Sequence, residues 1–319
     1  MLTFLGYPVK RMSAQTEWRT YCALVTTVIL WGLSFVATKV ALESIPTFTL
    51  IFGRFALASL FFVVLIAHRG LPSLTVADHG RVLLMSLFEP GLYFICETLG
   101  LLYTSAPKAS LIIATVPVVV TIVSALLLNE RTGRLGIAGI VLSLVGITVL
   151  VTADPSFDGT FGGSLKGDLL IVGAVFSAAF YIVGARHLGR RYSAETITAL
   201  QTFYGALFFA PAFLWQLPAL SWTDVTVRSW GALVYLTLFA TIAAFLCYNY
   251  ALTKIPAPRA AVFINGIPVV TAVGAWIILG ERLTLLQMVG GAIVLIAVWL
   301  ANRPGRTSRA KVIETPPVY

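Results

Sequence analysis

Charged residues are scarce in this chain of 319 residues, and its three histidines, His68, His79 and His187, stand apart from one another. Only 11% of the residues are charged, whereas 58% are hydrophobic. This composition offers too little polar surface to cover a water-soluble globule. The sequence also lacks a phosphate-cradling glycine-rich motif with lysine and any nucleophile motif. We therefore expect no catalytic residue, no metal site, no cofactor and no step driven by ATP.

Cysteine is also rare. Cys22, Cys96 and Cys247 all lie inside apolar runs. Cysteines in such runs are typical of small buried hydrophobic side chains, and their spacing gives no sign of a disulfide framework or a zinc site. Residues 1–18 lack the continuous apolar core of a secretory signal. We assign residues 1–19 to an N-terminal segment outside the membrane.

Long apolar runs are what the chain does have. Ten windows of about 20 residues are each long enough to cross a hydrocarbon core of roughly 30 Å. They cover approximately residues 20–42, 47–67, 82–102, 108–128, 134–152, 168–187, 196–217, 229–251, 259–279 and 283–301. Lipid offers no partner for backbone amides, and the alternating pattern of a barrel strand is absent, so the windows must be helices. We predict an all-α membrane protein with ten transmembrane helices.

An internal repeat divides the chain into two halves. A shift of 151 residues, without a gap, places Pro117 on Pro268 and Glu130 on Glu281. About a third of the positions between residues 106 and 146 are identical under this shift. The predicted organisation is a first five-helix repeat at 20–152, an inter-repeat loop at 153–167, a second repeat at 168–301 and a basic tail at 302–319.

Five helices per half is an odd number, which has a geometric consequence. The second copy begins on the opposite side of the membrane from the first, so the two repeats are inverted and related by a pseudo-two-fold axis in the membrane plane. Inverted repeats recur in secondary transporters, where rocking between two nearly equivalent arrangements opens a central site to each side in turn.

Basic residues set the orientation of the chain in the membrane. With a cytoplasmic N-terminus, sixteen lysines and arginines fall in cytoplasmic segments and four on the opposite side. This excess follows the positive-inside rule. We expect a multi-pass protein of the cell (inner) membrane with both termini in the cytoplasm. The net charge of +9 then reflects loop bias and contact with anionic lipid, and no nucleic-acid partner is expected.

Three motifs occur in order along the chain. They are Trp31-Gly32-Leu33-Ser34-Phe35-Val36, then Arg54, and then the block from Tyr103-Thr104-Ser105-Ala106 through Pro117 to Glu130-Arg131, with its repeat. Together they resemble the EamA type of the drug/metabolite transporter superfamily. The resemblance implies a ten-helix carrier with an amphiphilic cavity between the halves, lined mainly by the first, third, fourth, sixth, eighth and ninth helices. Transporters of this kind mostly export amino acids or other small metabolites.

Seven polar or aromatic residues are candidates for substrate contact. On the first helix Trp31, Ser34 and Thr38 recur at spacings of three and four, which places them on one face. This stripe fits a cavity lining, although serine and threonine are also favoured where membrane helices pack together. Lys39 lies off the stripe and is expected to reach the interface beside Glu43. The other candidates are Tyr93, Tyr181, Tyr248 and Asn265.

Two glutamates lie inside the third apolar window. Glu89 and Glu97 stand eight residues apart with Tyr93 midway, so a regular helix would place all three on nearly one face. A charged residue at a helix centre costs at least ~2.5 kcal/mol on insertion scales and therefore needs a role or a partner. A carboxyl group in a low dielectric holds its proton to a higher pH than in water. Both glutamates are thus candidates for proton coupling, the alternative being a structural ion pair with Arg54.

Five further residues are expected to be structural or to act in gating. Arg54 lies about seven residues into its helix, roughly 10 Å below the boundary at about 1.5 Å per residue, and is expected to tie the second and third helices together. Pro117 and Pro268 should kink twin helices. Glu130 and Glu281 end their helices and should act as interfacial anchors or loop partners, the alternative being a gate.

The inverted repeat favours a secondary-active transporter over the other classes. We expect an exporter of small metabolites such as amino acids that works by alternating access, with protons as a candidate coupling ion. A small multidrug-like exporter of organic cations is the second interpretation, because a buried glutamate can exchange protons for cations. A polytopic enzyme or a channel is weaker, since the chain has no selectivity-filter-like segment and no catalytic cluster. The expected partners are a small-molecule substrate and the lipid bilayer, and the protein is expected to be a monomer or a homodimer.

Overall fold

A computed structural model describes residues 14–70, 74–128, 134–155, 157, 163–219 and 221–301. Within these ranges the chain consists of helices and short connections, with no β-strand. The helices are α1 (Ala14–Leu42), α2 (Thr47–Arg69), α3 (Val76–Gly100), α4 (Ala106–Ile113 and Val116–Leu128), α5 (Arg134–Thr152), α6 (Gly163–Leu188), α7 (Ala194–Gln216), α8 (Val227–Lys254), α9 (Ala257–Leu279) and α10 (Leu285–Ala301).

The lengths and hydropathies of these helices suit a membrane protein. Eight of the described helices are long and apolar enough to cross a bilayer, and α5 and α10 contain shorter apolar stretches, Ile137–Thr152 and Leu285–Leu300. The predicted all-α fold of ten helices in two repeated halves is confirmed.

Hydroxyl side chains fix where several helices begin. The side chains of Thr75, Ser105, Ser193 and Thr226 each accept a hydrogen bond from a backbone N–H in the first turn of α3, α4, α7 and α8. Such caps satisfy amide groups that have no partner within the helix. Thr75 and Thr226 are 151 residues apart and cap twin helices, so the repeat extends to the helix ends.

The third and fourth helices of each half are interrupted at matching places. In α3 the chain forms a widened turn at Leu87–Leu92, and in α8 a widened turn at Leu236–Ala243. The two parts of α4 are separated at residues 114–115, and α9 narrows to a tight turn at Phe263–Gly266. Interrupted helices in corresponding positions of two inverted halves are typical of transporter binding sites.

Proline accounts for the interruptions in α4 and α9. Pro117 and Pro268 have no N–H to donate to the carbonyl groups of Ile113 and Ile264, four residues earlier. Each break lies just before its proline rather than at it. The expected kinks are therefore present, and they disturb the backbone one turn away, at residues that face the centre of the bundle.

The last helices of the two halves, α5 and α10, cross in close contact. A methyl group on Gly290 would lie 2.8 Å from the Leu150 backbone nitrogen, and one on Gly146 would lie 2.9 Å from the Val294 nitrogen. Small residues at such a crossing allow membrane helices to approach closely and to gain van der Waals contact. The pair α5–α10 therefore joins the halves away from the cavity described next.

Candidate functional site

A small cavity lies between the two halves. Its volume is about 30 Å³, whereas one water molecule needs roughly 10–15 Å³ on the same measure. A metabolite therefore cannot enter unless the halves move apart. The cavity is lined by Trp31, Ser34 and Phe35 of α1, Arg54 of α2, Glu89, Tyr93, Phe94 and Glu97 of α3, Ile113 and Val116 of α4, Ala178, Tyr181 and Ile182 of α6, Phe245 and Tyr248 of α8, and Ile264 and Ile267 of α9.

Most of these lining positions come in twin pairs, one from each half. On α3, α4, α8 and α9 the members of a pair are 151 residues apart: Phe94 with Phe245, Glu97 with Tyr248, Ile113 with Ile264, and Val116 with Ile267. On α1 and α6 they are 147 residues apart: Trp31 with Ala178, Ser34 with Tyr181, and Phe35 with Ile182. The two halves thus present equivalent backbone positions to the cavity but different side chains.

The separation between twin positions changes from 147 to 151 residues because of one connection between helices. Helix α2 ends at Arg69 and α3 begins at Val76, whereas α7 ends at Gln216 and α8 begins at Val227. The α7–α8 connection is therefore four residues longer than its twin. A single shift of 151, which fits helices three to five of each half, misses the pairs contributed by the first two helices.

The cavity lining includes Glu89, Tyr93 and Glu97. A single regular helix, which was expected to place them on one face, is not what brings them together. Glu89 lies in the widened turn of α3 with φ −139° and ψ 113°, so the helix is broken at this residue. The assumption of one continuous helical face is wrong there. Both carboxyl groups are buried, with Glu89 5% and Glu97 2% exposed, and Glu97 accepts a hydrogen bond of 3.1 Å from the Thr98 hydroxyl.

Arg54 ties three helices together. Its Nε donates to the Thr241 hydroxyl of α8 over 2.9 Å, and its guanidinium carbon lies 4.4 Å from the centre of the Phe94 ring of α3. No carboxylate in the described part of the chain lies within 4 Å of it. The expected link from α2 to α3 therefore runs through an aromatic ring instead of a glutamate, while both buried carboxyl groups still attract the guanidinium at longer range.

The twin of Arg54 is Gln201, 147 residues later, and its surroundings are neutral. The Tyr181 hydroxyl lies 2.7 Å from Asn249 Oδ1 and 3.0 Å from Gln201 Oε1, and Asn249 Nδ2 donates to the Thr198 hydroxyl over 2.9 Å. Protein groups thus satisfy the Tyr181 hydroxyl, which leaves its ring for the cavity. Gln201 Nε2 is buried and has no hydrogen-bond partner among the described residues, so this network is neutral but not fully paired.

Aromatic rings form the adjoining part of the lining. The Trp31 ring lies 5.2 Å from Phe245 and 5.0 Å from Tyr248, centre to centre, and the Trp31 indole N–H donates to the Ala240 carbonyl over 3.2 Å. Ala240 belongs to the widened turn of α8, so Trp31 gives this irregular backbone a hydrogen bond from α1. The buried Tyr248 hydroxyl has no hydrogen-bond partner in the described part of the protein, which makes it a group available to a solute.

Several predicted site residues lie outside the cavity lining. Thr38 Oγ1 and Asn265 Oδ1 are buried, and neither has a hydrogen-bond partner among the described residues. Pro117 and Pro268 adjoin the lining residues Val116 and Ile267 without lining the cavity themselves. Glu130 lies outside the described residues. Direct contact of Thr38 and Asn265 with a substrate stays a prediction.

At one end of the bundle a charged contact joins the two halves. Sequence reasoning did not pair the residues that form it. Lys39 Nζ lies 2.6 Å from Glu281 Oε1 and donates to the Thr104 carbonyl over 3.0 Å. The expected partner, Glu43, instead lies 3.7 Å from Arg228 on the surface. Glu281 also accepts a hydrogen bond of 2.8 Å from the Ala106 N–H at the start of α4. Its role as an anchor or as a gate stays a prediction.

A second ion pair lies next to this contact. Lys108 is fully buried, and its Nζ lies 2.7 Å from Asp154 and 2.6 Å from Asp168, while the Thr104 hydroxyl donates to Asp168 over 2.8 Å. Sequence reasoning placed Lys108 among the loop charges. Two features of the sequence could have indicated that Lys108 is buried and paired. It lies in the first turn of an apolar helix, and two aspartates lie near the ends of the inter-repeat loop. We call Lys39, Thr104, Lys108, Asp154, Asp168 and Glu281 the charged cluster.

The other end of the bundle has its own link between the halves. Asp78 of α3 accepts a hydrogen bond of 2.6 Å from the Tyr192 hydroxyl, in the α6–α7 connection, and lies 2.5 Å from Arg81. The hydrogen bond to this carboxylate raises the pKa of the Tyr192 hydroxyl. Charged groups therefore hold the halves together on both sides of the cavity.

Comparison with known proteins agrees with this architecture. The chain is 29% identical to the uncharacterized transporter YetK of Bacillus subtilis (strain 168), over 88% of this chain and 86% of that protein. It is 30% identical to an uncharacterized transporter of Archaeoglobus fulgidus, over 89% and 97%. It is 26% identical to a probable terminal-alkyne amino-acid exporter of Streptantibioticus cattleyicolor, over 92% and 96%.

A solved crystal structure superposes on the chain with a TM-score of 0.65 at 18% identity, covering 91% of this chain and 97% of that one, and supports the fold alone. Residues 18–152 and 165–303 each match the EamA-like transporter family, one match per half. With ten helices in two repeats around a central cavity, this chain belongs to the EamA-like transporter family of the drug/metabolite transporter superfamily.

Proposed function

We propose that this protein is a secondary-active carrier that exports small metabolites such as amino acids by alternating access. The observation that carries the proposal is the central cavity, which twin positions of two repeated halves line and which interrupted helices border. Two nearly equivalent halves can adopt two nearly equivalent arrangements. The protein then acts as a transporter and not as an enzyme, and it needs a small-molecule substrate but no cofactor.

The side chains around the cavity favour a zwitterionic or weakly polar substrate. Arg54 provides a positive group whose Nη atoms are not used in its hydrogen bond to Thr241, and Glu89 and Glu97 provide acidic groups close by. Trp31 and Phe245 supply apolar surface. An organic cation is the second candidate, because two carboxyl groups face one guanidinium.

Protons are the proposed coupling ion. Glu89 and Glu97 are buried beside the cavity, where a charged carboxylate is costly and a neutral one is not. These residues would bind either a proton or the positive group of the substrate. Their exchange would couple the transport of protons to the transport of substrate. The proton would be taken up from the side on which the cavity is open.

The charged cluster is the proposed closure on the non-cytoplasmic side, and the Asp78–Tyr192 link the closure on the cytoplasmic side. Each joins residues of the first half to residues of the second. Both would have to break in alternation for the cavity to open at either end. With these sides assigned to the two closures, both termini would lie in the cytoplasm. The protein is proposed to reside in the inner membrane as a monomer or a homodimer.

Counterflow in liposomes tests the carrier assignment. Purified protein in liposomes preloaded with an unlabelled amino acid should accumulate the labelled amino acid transiently, because a carrier exchanges bound solute across the membrane. A panel of neutral amino acids and one lipophilic cation should be compared at equal concentration. Exchange of the cation alone would move the assignment to the second candidate, and no exchange of any metabolite would reject the carrier.

Arg54→Ala should impair both folding and transport. The substitution removes the bond to Thr241 and the contact with Phe94, and a hydrogen bond to a charged group contributes about 1.5–3 kcal/mol. Melting temperature in detergent and counterflow rate should both fall, and Arg228→Ala at an exposed position should change neither. A normal melting temperature with weakened substrate affinity would show that Arg54 binds substrate and does not hold the helices together.

Glu89→Gln should abolish the effect of an imposed proton gradient while sparing exchange. Glutamine keeps the shape of a protonated glutamate but cannot release a proton. The measurement is uptake of labelled amino acid with and without a pH gradient, in parallel with counterflow without one. Glu43→Gln, at an exposed position, is the matched control. An unchanged response to the gradient in Glu89→Gln would reject this residue as the coupling site, and Glu97→Gln tests the second carboxyl group in the same way.

Breaking the Lys39–Glu281 pair should expose the cavity from the non-cytoplasmic side. In a background with Cys22, Cys96 and Cys247 replaced by serine, Ser34→Cys reports access to the cavity. Glu281→Gln should raise its labelling by a membrane-impermeant maleimide added outside intact cells. Arg228→Gln is the control, because it removes an exposed ion pair with Glu43, of the kind that contributes about 0–1 kcal/mol, and an exposed hydrogen bond to the Ile278 carbonyl.

Two outcomes of this labelling experiment separate the parts of the proposal. Equal labelling of both variants and the parent would mean that the pair does not close the cavity. Increased labelling only in inside-out vesicles would keep the closure and reverse the proposed orientation of the chain.

A further inference from the structure

A large cleft opens beside the connection between α6 and α7, at the end of the bundle opposite the charged cluster. Its volume is about 610 Å³. One side is formed by this connection and the start of α7, and the other by α8 with a contribution from α1. The cleft is distinct from the central cavity and shares no lining residue with it.

The rim of this cleft is basic. Arg190, Arg191 and Lys254 line it, and Glu195 is its one acidic lining residue. In the part of the chain that the structure describes, no carboxylate lies within 4 Å of Arg190 or Lys254, and Arg191 lies 3.8 Å from Asp78. Positive charge is therefore in excess at the mouth of the cleft.

A helix terminus adds to this positive potential. Helix α7 is 23 residues long and begins at the cleft, where the Ser193 side chain accepts a hydrogen bond from the Thr196 N–H. The N-terminal end of a helix carries a partial positive charge of about half an elementary charge. Together with the three basic side chains it forms an environment suited to a phosphate group.

The deeper wall of the cleft is apolar and belongs to membrane-spanning helices. Ala23 of α1 and Leu246 and Cys247 of α8 form it, and all three lie within membrane-spanning helices. Tyr250 and Lys254 stand one and two turns nearer the end of α8, with the Lys254 Nζ 5.5 Å from the Tyr250 ring. The cleft thus changes from basic to apolar along the direction in which a lipid changes from headgroup to acyl chain.

We propose that this cleft binds an anionic phospholipid, with its phosphate between Arg190, Lys254 and the start of α7 and an acyl chain along Leu246 and Cys247. A free phosphate would use the basic rim but would leave the apolar wall unfilled, and a zwitterionic lipid would gain less from the excess positive charge. Basic pockets between membrane helices bind anionic headgroups by this combination.

Because of where the cleft lies, a bound lipid would affect how the two halves are held together at this end. Tyr192 lines the cleft and also bonds Asp78, the link that joins the two halves at this end. A lipid held by Arg190 and Arg191 would restrain the same connection. Bound anionic phospholipid is therefore expected to stabilise the arrangement in which this end is closed.

Lipid titration with native mass spectrometry tests the proposal. Full-length protein in detergent is titrated with phosphatidylglycerol and, separately, with phosphatidylcholine of the same acyl chains. Wild type should retain phosphatidylglycerol preferentially. The double substitution Arg190→Gln and Lys254→Gln should weaken its binding by roughly 10- to 30-fold, from about 1 kcal/mol per basic residue, and leave phosphatidylcholine unchanged. The pair Arg228→Gln and Arg282→Gln, at the other end of the bundle, is the matched control.

A measurement on the unmodified protein keeps the test independent of how the variants fold. Phosphatidylglycerol should slow alkylation of Cys247 more than phosphatidylcholine does, with Cys96 of α3 as the internal reference. Equal protection by both lipids, or a double variant that keeps its preference for phosphatidylglycerol, would overturn the proposal. Displacement of phosphatidylglycerol by millimolar inorganic phosphate would assign the site to free phosphate and overturn the lipid.

Discussion

The fold depends on one constraint, that a bilayer offers no hydrogen-bond partner to a backbone polar group. Four described helices are nevertheless interrupted, and at the interruption in α8 two side chains of α1 donate hydrogen bonds to the backbone. Trp31 donates to the Ala240 carbonyl in the widened turn of α8, and Thr27 donates to the Ala244 carbonyl over 3.3 Å. Each interruption contains or lies close to residues that line the cavity between the halves.

Two repeats with equivalent backbones differ in charge at the cavity. The first half places Arg54 and Glu97 where the second half has Gln201 and Tyr248. In the second half the positions around Gln201 form a neutral hydrogen-bonded network that includes Tyr181. In the first half the buried charges lie near one another without a direct ion pair among the described residues. One wall is therefore stable and neutral, and the other has the electrostatic character that a solute or a proton can alter.

Sequence reasoning reached the fold class because its signals are local: apolar length, the 151-residue repeat and the loop charges. It also found most of the polar residues around the cavity, since charge inside an apolar window is conspicuous. It could not find the Lys39–Glu281 pair, which joins residues 242 positions apart in separate halves. Nor could it see that Lys108 is buried, because only the folded chain brings Asp154 and Asp168 around it. The break at Glu89 was missed because helical periodicity assumes an unbroken helix.

The one-sided distribution of charge has a consequence for how cargo would travel. Arg54, Glu89 and Glu97 all belong to the first half, so they would keep their mutual arrangement in the proposed rocking of the halves once Arg54 releases Thr241 of α8. A solute held by these groups would stay with that half throughout the cycle, while the neutral face slides past it. The ionic contacts of the solute would then form once, when it enters the cavity, and break once, when it leaves.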